Sequence, residues 1–427
     1  MNLFLATLLL ILSIILASKR ASRKILISII SFLSQQSFAL VNIIIGICLL
    51  AFVLIRPSWY FYSQYLILFL LGLIFLIHGL FVFRSDENVY LAMIKKVQKN
   101  YYIYSISVIF ALLMISVLLI FRSYIGPFSE VNNCNSGDNL SIVCGLEKSP
   151  EDIVITPDNK YLIISGFGGI APLHESNDPR GGEGSLFLMD AYTKANNSLN
   201  IRYEDNVWGD GVCDRDSESS FNPHGIDLVK RDDGKYQLAV VNHLPSETIE
   251  MFELLKTDIE SSNEEIASLW ELVWRGCVSV ADEYYLNDVS LAPDGSLFVT
   301  HMHSKNISIL EFLFKSITKG ETGFAMRWDR ELGFSEISKS QGGQPNGIVY
   351  DNSTDSLHIS LNLSDKIISI DLRENKIINS FSVNSPDNLV FDGQNLWITS
   401  FEHEILDALR CVDSVCPLPF RVTKIDA

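Results

Sequence analysis

Acidic residues are nearly absent from the first 122 residues, which carry ten Lys and Arg against only Asp86 and Glu87, a net charge of +8. Bases are scarce in residues 123–427, where 23 face 48 acids, a net of −25. A segment that acidic repels nucleic acid and attracts cations, so a nucleic-acid partner is excluded. No Cys-x-x-Cys pair occurs among the seven cysteines, which argues against a zinc ribbon. No Gly-x-Ser-x-Gly elbow is present, which argues against a serine hydrolase of the α/β type. Gly166, Gly168 and Gly169 and the run Arg180-Gly181-Gly182-Glu183-Gly184 lack the strand-to-helix setting of a nucleotide loop.

Apolar residues are abundant in four stretches, roughly 3–17, 37–55, 62–83 and 101–121. A helix needs about 20 apolar residues to cross the hydrocarbon core. The bases Lys19, Arg20, Arg23 and Lys24 follow the first stretch rather than precede it, so it reads as a span, not a signal peptide. Residues 1–122 are therefore expected to form a transmembrane region of about four spans, with 123–427 a separate domain. Basic loops face the cytoplasm. The loop after the first span holds four bases, as does the one with Arg84, Lys95, Lys96 and Lys99, while the loop between them holds only Arg56. This places the acidic domain outside the cytoplasm, on the periplasmic, extracellular or lumenal side. Its six cysteines, Cys134, Cys144, Cys213, Cys277, Cys411 and Cys416, suit disulfides there, though six allow 15 pairings. His78 is the lone histidine of the apolar region, and Gln35, Gln36 and Asn42 are read as helix–helix hydrogen-bonding groups. The bundle reads as an anchor or a docking unit for protein partners that the sequence does not name.

From about residue 145 the pattern changes to short β-branched and aromatic runs separated by turns. The runs repeat. Glu151-Asp152-Ile153-Val154-Ile155 is followed by a turn and a second strand, and the plan returns at His224, Asn287-Asp288, Asn346 and Asp387-Asn388. A polar group, a strand, a tight turn and a second strand, repeated, describe four-stranded sheets set around an axis. About 300 residues suit a six-bladed β-propeller, one blade lacking the visible motif. In a propeller the innermost strands line the channel, so Glu151, Asp152, Asn287, Asp288, Asn346, Asp387 and Asn388 converge there, with His224 in the remaining copy. All but the histidine offer oxygen, and six to eight hard oxygens are what calcium takes.

Together the motifs Ser149-Pro150-Glu151-Asp152, Pro223-His224-Gly225-Ile226, Val241-Asn242-His243, Leu286-Asn287-Asp288, Pro345-Asn346-Gly347-Ile348, Asp387-Asn388-Leu389 and Asn395-Leu396-Trp397-Ile398 resemble the paraoxonase/arylesterase family, in its order, over roughly residues 145–400. The resemblance implies two calcium ions. Glu151, Asn287, Asn346, Asp387 and Asn388 would hold a catalytic one, and Asp152, Asp288 and the backbone carbonyl of Ile226 a structural one. It also implies His224 and His243 as a catalytic pair acting on a lactone or aryl ester. A gluconolactonase-type propeller is the near relative of that reading. The reading from another class is a non-catalytic, calcium-stabilised sensor or binding propeller. The family's usual histidine after the Leu-Trp strand is replaced by Phe401, with His403 two positions on, and only thirty residues follow Trp397.

Overall fold

The computed structural model describes residues 11, 34–55, 59–61, 63–120, 146, 148–169, 182–257, 269–403 and 419–426. They fall into one unit within Met1–Glu130 and His403–Leu418, which holds the described helices of the N-terminal part, and a β unit within Val131–Glu402 and Pro419–Ala427.

The helical unit contains α1 (Gln35–Leu54), α2 (Ser63–Arg84), α3 (Glu87–Lys99) and α4 (Tyr101–Ile120). Small residues let α1 and α2 approach closely. A Cβ on Gly46 would lie 2.6 Å from the Leu76 backbone nitrogen, and one on Gly79 would lie 2.8 Å from that of Ile43. Gln35 reaches across from α1 to donate to the carbonyls of Val82 and Ser85, whereas Asn42 donates to Phe38 in its own helix. Two helices among the described residues, Gln35–Leu54 and Tyr65–Arg84, are long and apolar enough by length and composition to cross a membrane. This corrects the expectation of four. α4 counts only through the shorter apolar segment Val108–Val117, and the span expected at 3–17 lies outside the described residues, save Ile11. The basic segment after α2 is not a loop throughout: it includes α3, with Glu87 in the first turn and Lys96 and Lys99 in the last, the charge order that a helix dipole favours.

Among its described residues the β unit is a propeller of five sheets. The first is β1 (Ser149–Ile155), β2 (Tyr161–Phe167), β3 (Ser185–Asp190) and β4 (Asn196–Ser198). The second joins β6 (Pro223–Lys230), β7 (Tyr236–Asn242), β8 (Thr248–Lys256) and β9 (Trp270–Ser279), with β5 (Ile201–Tyr203) added parallel to β9. The third runs β10 (Tyr284–Leu291), β11 (Leu297–Ser304), β12 (Phe324–Asp329) and β13 (Gly333–Glu336), with α5 (Ile309–Thr318) inserted after β11. The fourth is β14 (Pro345–Asp351), β15 (Ser356–Leu361), β16 (Lys366–Asp371) and β17 (Lys376–Ser382). The fifth is β18 (Pro386–Phe391), β19 (Asn395–Phe401) and β20 (Phe420–Asp426). Within each sheet neighbouring strands are antiparallel, apart from β5.

Central strands bury both faces, and the period-two alternation of side chains divides each strand between two cores. Leu238 and Val240 pack with Ile163, Leu186 and Leu188 between the first and second sheets. Ala239 and Val241 face the other way, into a layer with Leu286, Val289, Leu297 and Val299 of the third. Phe298 and Ala325 then meet Ile348, Ile359 and Ile368 of the fourth, and Ile367 meets Leu389, Leu396 and Ile398 of the fifth.

Among the described residues there are five sheets, not six. The second sheet carries the additional strand β5, and the third carries α5 after β11. Ile153 and Ile155 of the first sheet and Val390, Trp397 and Phe420 of the fifth are exposed.

Cys213 and Cys277 form a disulfide across a sequence separation of 64 residues. It ties the segment after β5 to β9, where Val207 and Trp208 also donate to the Arg275 carbonyl. Of the remaining cysteines in the acidic segment, Cys134, Cys144, Cys411 and Cys416 lie outside the described residues. Closing a loop of that length stabilises a fold by about 4 kcal/mol in the chain-entropy account. Cys213→Ser should therefore lower the melting temperature of the full-length protein under oxidising conditions. Under reducing conditions the variant and the wild type should melt together, and a scanning melt in both states checks it.

Candidate functional site at the propeller axis

Each innermost strand carries a β-bulge at the polar residues singled out by the repeat. In the second sheet Pro223 pairs with Asn242 and Ile226 with Val240, so His224 and Gly225 stand opposite the single residue Val241. In the third, Leu286 pairs with His301 and Val289 with Val299, leaving Asn287 and Asp288 opposite Thr300. The same two-against-one count sets Asn346 and Gly347 opposite Ser360, and Asp387 and Asn388 opposite Thr399. In β1 the shift falls between Pro150 and Asp152, at Glu151. A bulge re-aims side chains and leaves backbone groups unpaired. Hydroxyls on the second strands take up those groups. Thr300 Oγ1 accepts from Asp288 N at 3.0 Å and donates to the Asn346 carbonyl at 2.6 Å. Ser165 Oγ accepts from Asp152 N at 3.0 Å, Ser360 Oγ donates to the Asp387 carbonyl at 2.5 Å, and Thr399 Oγ1 to that of Asn388 at 3.2 Å.

The bulged residues then link sheet to sheet. Ile226 N donates to Asp152 Oδ2 and Ile348 N to Asp288 Oδ2, both at 2.8 Å. Asn388 Nδ2 donates to the Glu151 carbonyl at 3.0 Å, joining the fifth sheet to the first. Two glycines make this approach possible. A Cβ on Gly225 would lie 2.4 Å from Asp288 Oδ1, and one on Gly347 would lie 2.7 Å from the Asp387 carbonyl.

The residues expected at the axis are brought together. His224 Nε2 lies 3.1 Å from Glu151 Oε1 and 3.5 Å from Asn287 Nδ2. The Asp387 carboxyl is hydrogen-bonded to Asn346 and feels the charges of Glu151 and His224. Asp152 and Asp288 lie close enough for each to feel the other's charge. Ile226 meets the acidic pair through its N–H, which donates to Asp152. Four buried oxygens find no donor: Glu151 Oε2, Asn287 Oδ1, Asn346 Oδ1 and Asn388 Oδ1. Buried acceptors are nearly always satisfied, so four together at one point are an anomaly that asks for a cation.

The electrostatics agree. Burial pushes Glu151 up to about 8 and Asp387 up to about 7. Burial, followed by the Glu151 charge for Asp152 and the Asp152 charge for Asp288, holds both aspartates well above the carboxylate range. Burial also pushes His224 down to about 4 and lowers His243. Among the described residues no three His, Cys, Asp or Glu side chains form a metal cage. The converging oxygens are instead mostly asparagine carbonyls, a hard and weakly charged set that suits calcium rather than zinc.

The two histidines are in direct contact. His224 Nδ1 lies 2.7 Å from His243 Nε2, and His243 Nδ1 lies 2.8 Å from Glu247 Oε1. Phe167 stacks on His224 at 4.5 Å between ring centroids, and Tyr285 on His243 at 4.6 Å. Phe167, Glu247 and Tyr285 were not among the residues expected from the sequence. A separate cleft of about 490 Å³ lies at the opposite, turn-bearing end, lined by Asp294, Arg327, Asp355 and Arg373. None of its lining residues holds an unsatisfied buried polar atom, so the axis remains the stronger site.

Five sheets, each headed by a bulged polar residue at a common axis, define a β-propeller with one acidic and amide-rich axial site. The sequence profile described as Arylesterase matches residues 130–426, and the chain belongs to that family. It is 30% identical to serum paraoxonase/arylesterase 2 of Gallus gallus over 145 residues, which are 33% of this chain and 36% of that protein. It is 33% identical to serum paraoxonase/lactonase 3 of Oryctolagus cuniculus over 138 residues, 32% of this chain and 35% of that one. The chain thus spans about a third of the length of the curated relatives it matches. A solved gluconolactonase from Xanthomonas campestris superposes with a TM-score of 0.34 at 14% identity, over 58% of this chain and 68% of that one, a likeness too loose to bear on chemistry.

The raised carboxyls give a pH test. A carboxyl whose folded pKa exceeds its unfolded value stabilises the fold at low pH and loses that contribution as the pH rises through the folded value. The buried histidines, shifted down from 6.5, act in the opposite sense but only below that pH. In chelator the β unit should therefore melt at progressively lower temperature from pH 6.5 to 8 and level off above. Added calcium, by favouring the ionised carboxylates, should flatten that slope. Melting curves across that range, with and without the ion, would show it, and a rise in chelator would refute it.

Proposed function

We propose that the protein is a membrane-tethered, calcium-dependent hydrolase of lactones or aryl esters, acting from the extracytoplasmic side. The observation that carries this reading is the set of four unsatisfied oxygens beside a buried, hydrogen-bonded histidine pair. Glu151, Asn287, Asn346, Asp387 and Asn388 fit one ion, and Asp152 and Asp288 with Ile226 a second. Glu151 and Asp387 together match the charge of one divalent ion, and the asparagines add neutral carbonyls. Calcium at the first place would polarise the substrate carbonyl and stabilise the developing oxyanion.

The chain's own part is proton handling. His224 presents Nε2 toward Glu151 and Asn287, and in this reading a water attacking the carbonyl reaches that nitrogen. Nε2 takes the proton from that water as the new C–O bond forms. The proton on Nδ1 passes to His243 Nε2, and the sequence reverses to protonate the departing alkoxide or phenoxide. Burial keeps His224 neutral at physiological pH, as a base must be. The basic flanks of the apolar helices and the Cys213–Cys277 disulfide support the extracytoplasmic placement.

Full-length protein in detergent should hydrolyse members of a panel of small lactones and aryl esters, lose that turnover in chelator, and regain it with calcium. Asp387→Ala and Asn287→Ala should abolish turnover by weakening the ion's hold. His224→Gln should lower kcat by roughly 10²- to 10⁴-fold while calcium affinity stays near wild type. Folded, calcium-binding protein inactive on the whole panel would instead identify a binding propeller.

A further inference from the structure

Glu247 lies between β7 and β8, at the same end of the second sheet as His224 and His243, and its side chain is 1% exposed. Its Oε1 meets His243 Nδ1 at 2.8 Å and Lys305 Nζ at 3.0 Å, and Leu286 N approaches Oε2 at 3.4 Å. Burial works against its ionised form, but His243 and Lys305 outweigh that and hold the carboxyl below its ordinary value.

We infer that Glu247 is the positioning residue of a three-membered relay, Glu247–His243–His224, that fixes which nitrogen of His224 is left bare. The inference rests on His224 being the base. An ionised carboxylate only accepts hydrogen bonds, so His243 must donate from Nδ1. His243 Nε2 is then an acceptor, and the 2.7 Å contact obliges His224 to donate from Nδ1. That leaves the lone pair of His224 on Nε2, the nitrogen that faces Glu151 and Asn287. When Nε2 gains a proton and Nδ1 passes one on, the positive charge moves to His243, next to the Glu247 carboxylate. The base is thereby made stronger without a charge being left at the axis.

The rings are held for this purpose. His224 lies flat against Phe167, with 10° between the planes, and His243 lies flat against Tyr285, also at 10°. His303 backs Tyr285 at 5.1 Å and 2°. A ring flip in either histidine would break the Nδ1–Nε2 contact, and the stacked neighbours oppose it. Glu247 fixes the remaining freedom, the tautomer, which packing does not determine.

A purely structural Glu247–Lys305 ion pair is the competing explanation, and a double-mutant cycle separates the two. In full-length protein with saturating calcium, Glu247→Gln should lower kcat roughly 10- to 100-fold, with KM and calcium affinity within about twofold of wild type. In the His224→Gln background the same change should cost nothing further, because its effect runs through His224. Lys305→Met, which takes away one of the two groups that hold Glu247 ionised, should lower kcat by the same route and cost nothing further in the His224→Gln background, whereas loss of a structural pair would cost the same in both backgrounds. Should Glu247→Gln not fold, Glu247→Asp, which keeps the charge one methylene further back, takes its place in the cycle. Equal losses in both backgrounds would overturn the relay. So would full kcat in Glu247→Gln when His224→Gln is crippled, and that result would leave the base assignment standing. Full kcat in His224→Gln itself would remove the base assignment and the relay with it.

Discussion

More oxygen is aimed at the propeller axis than the protein's own donors can satisfy, and the architecture around the axis is built to hold it there. The bulge at the head of each innermost strand is the device. A regular strand would have sent Asn287 and Asp288, or Asp387 and Asn388, to opposite faces of a sheet whose two faces are both packed with apolar residues. The extra residue frees both side chains from that alternation, and the second-strand hydroxyls of Ser165, Thr300, Ser360 and Thr399 make the distortion tolerable. Glycine is required where two bulges come too close for a side chain, as at Gly225 and Gly347.

The second sheet differs from the others in what it places at that bulge. His224 stands where the first, third, fourth and fifth sheets have acids or amides, and the strand end beside it supplies His243. Asn242 holds this corner together: its Oδ1 accepts from Asn222 N at 2.8 Å, and its Nδ2 donates to the Leu244 carbonyl at 2.6 Å and to Thr248 Oγ1 at 2.9 Å. Those bonds fix the short connection that carries both His243 and Glu247. The acceptor-rich axis and the His243–Glu247 corner are thus neighbours in space but are held by different elements. A change to one need not dismantle the other.

The polar repeat was legible because it recurs; each copy alone is ordinary turn chemistry. Glu151, Asn287, Asn346, Asp387 and Asn388 were read together from four copies of one pattern, with His224 in the fifth, and the structure brings Glu151 and Asn287 to His224 while Asn388 bonds to Glu151 and Asn346 to Asp387. The number of sheets was not legible, because chain length does not distinguish a sixth blade from an extra parallel strand, a helix and long connections. The hydroxyls opposite the bulges were missed for a related reason, since Thr and Ser inside a β run look like strand formers until the register is known. Glu247 gave one faint signal, its place four residues after His243, which means nothing without the turn that folds it back. The Cys213–Cys277 pairing was one of fifteen in the sequence and needed the path of the chain after β5. Apolar length overstated the spans, since only α1 and α2 meet the test among the described residues.

The acidity of the β unit has two origins that sequence composition cannot separate but electrostatics can. At the turn-bearing end, aspartates cap tight turns: Asp190 accepts from Tyr192 N and Thr193 N, Asp351 from Ser353 N, and Asp392 from Gln394 N and Asn395 N. Hydrogen bonds to the ionised form hold Asp190 and Asp392 below the ordinary carboxylate range, and in Asp351 they outweigh burial with the same result. These groups are already satisfied and have no use for a ligand. At the axis Glu151, Asp152, Asp288 and Asp387 are shifted the other way, by burial, to which neighbouring acids add for the three aspartates. Backbone N–H groups reach Asp152 and Asp288 and still do not bring them down. The same residue type is therefore scaffold at one end and site at the other, and the direction of the shift tells them apart. A propeller with only turn acids would be equally acidic and would have nothing to bind at its centre.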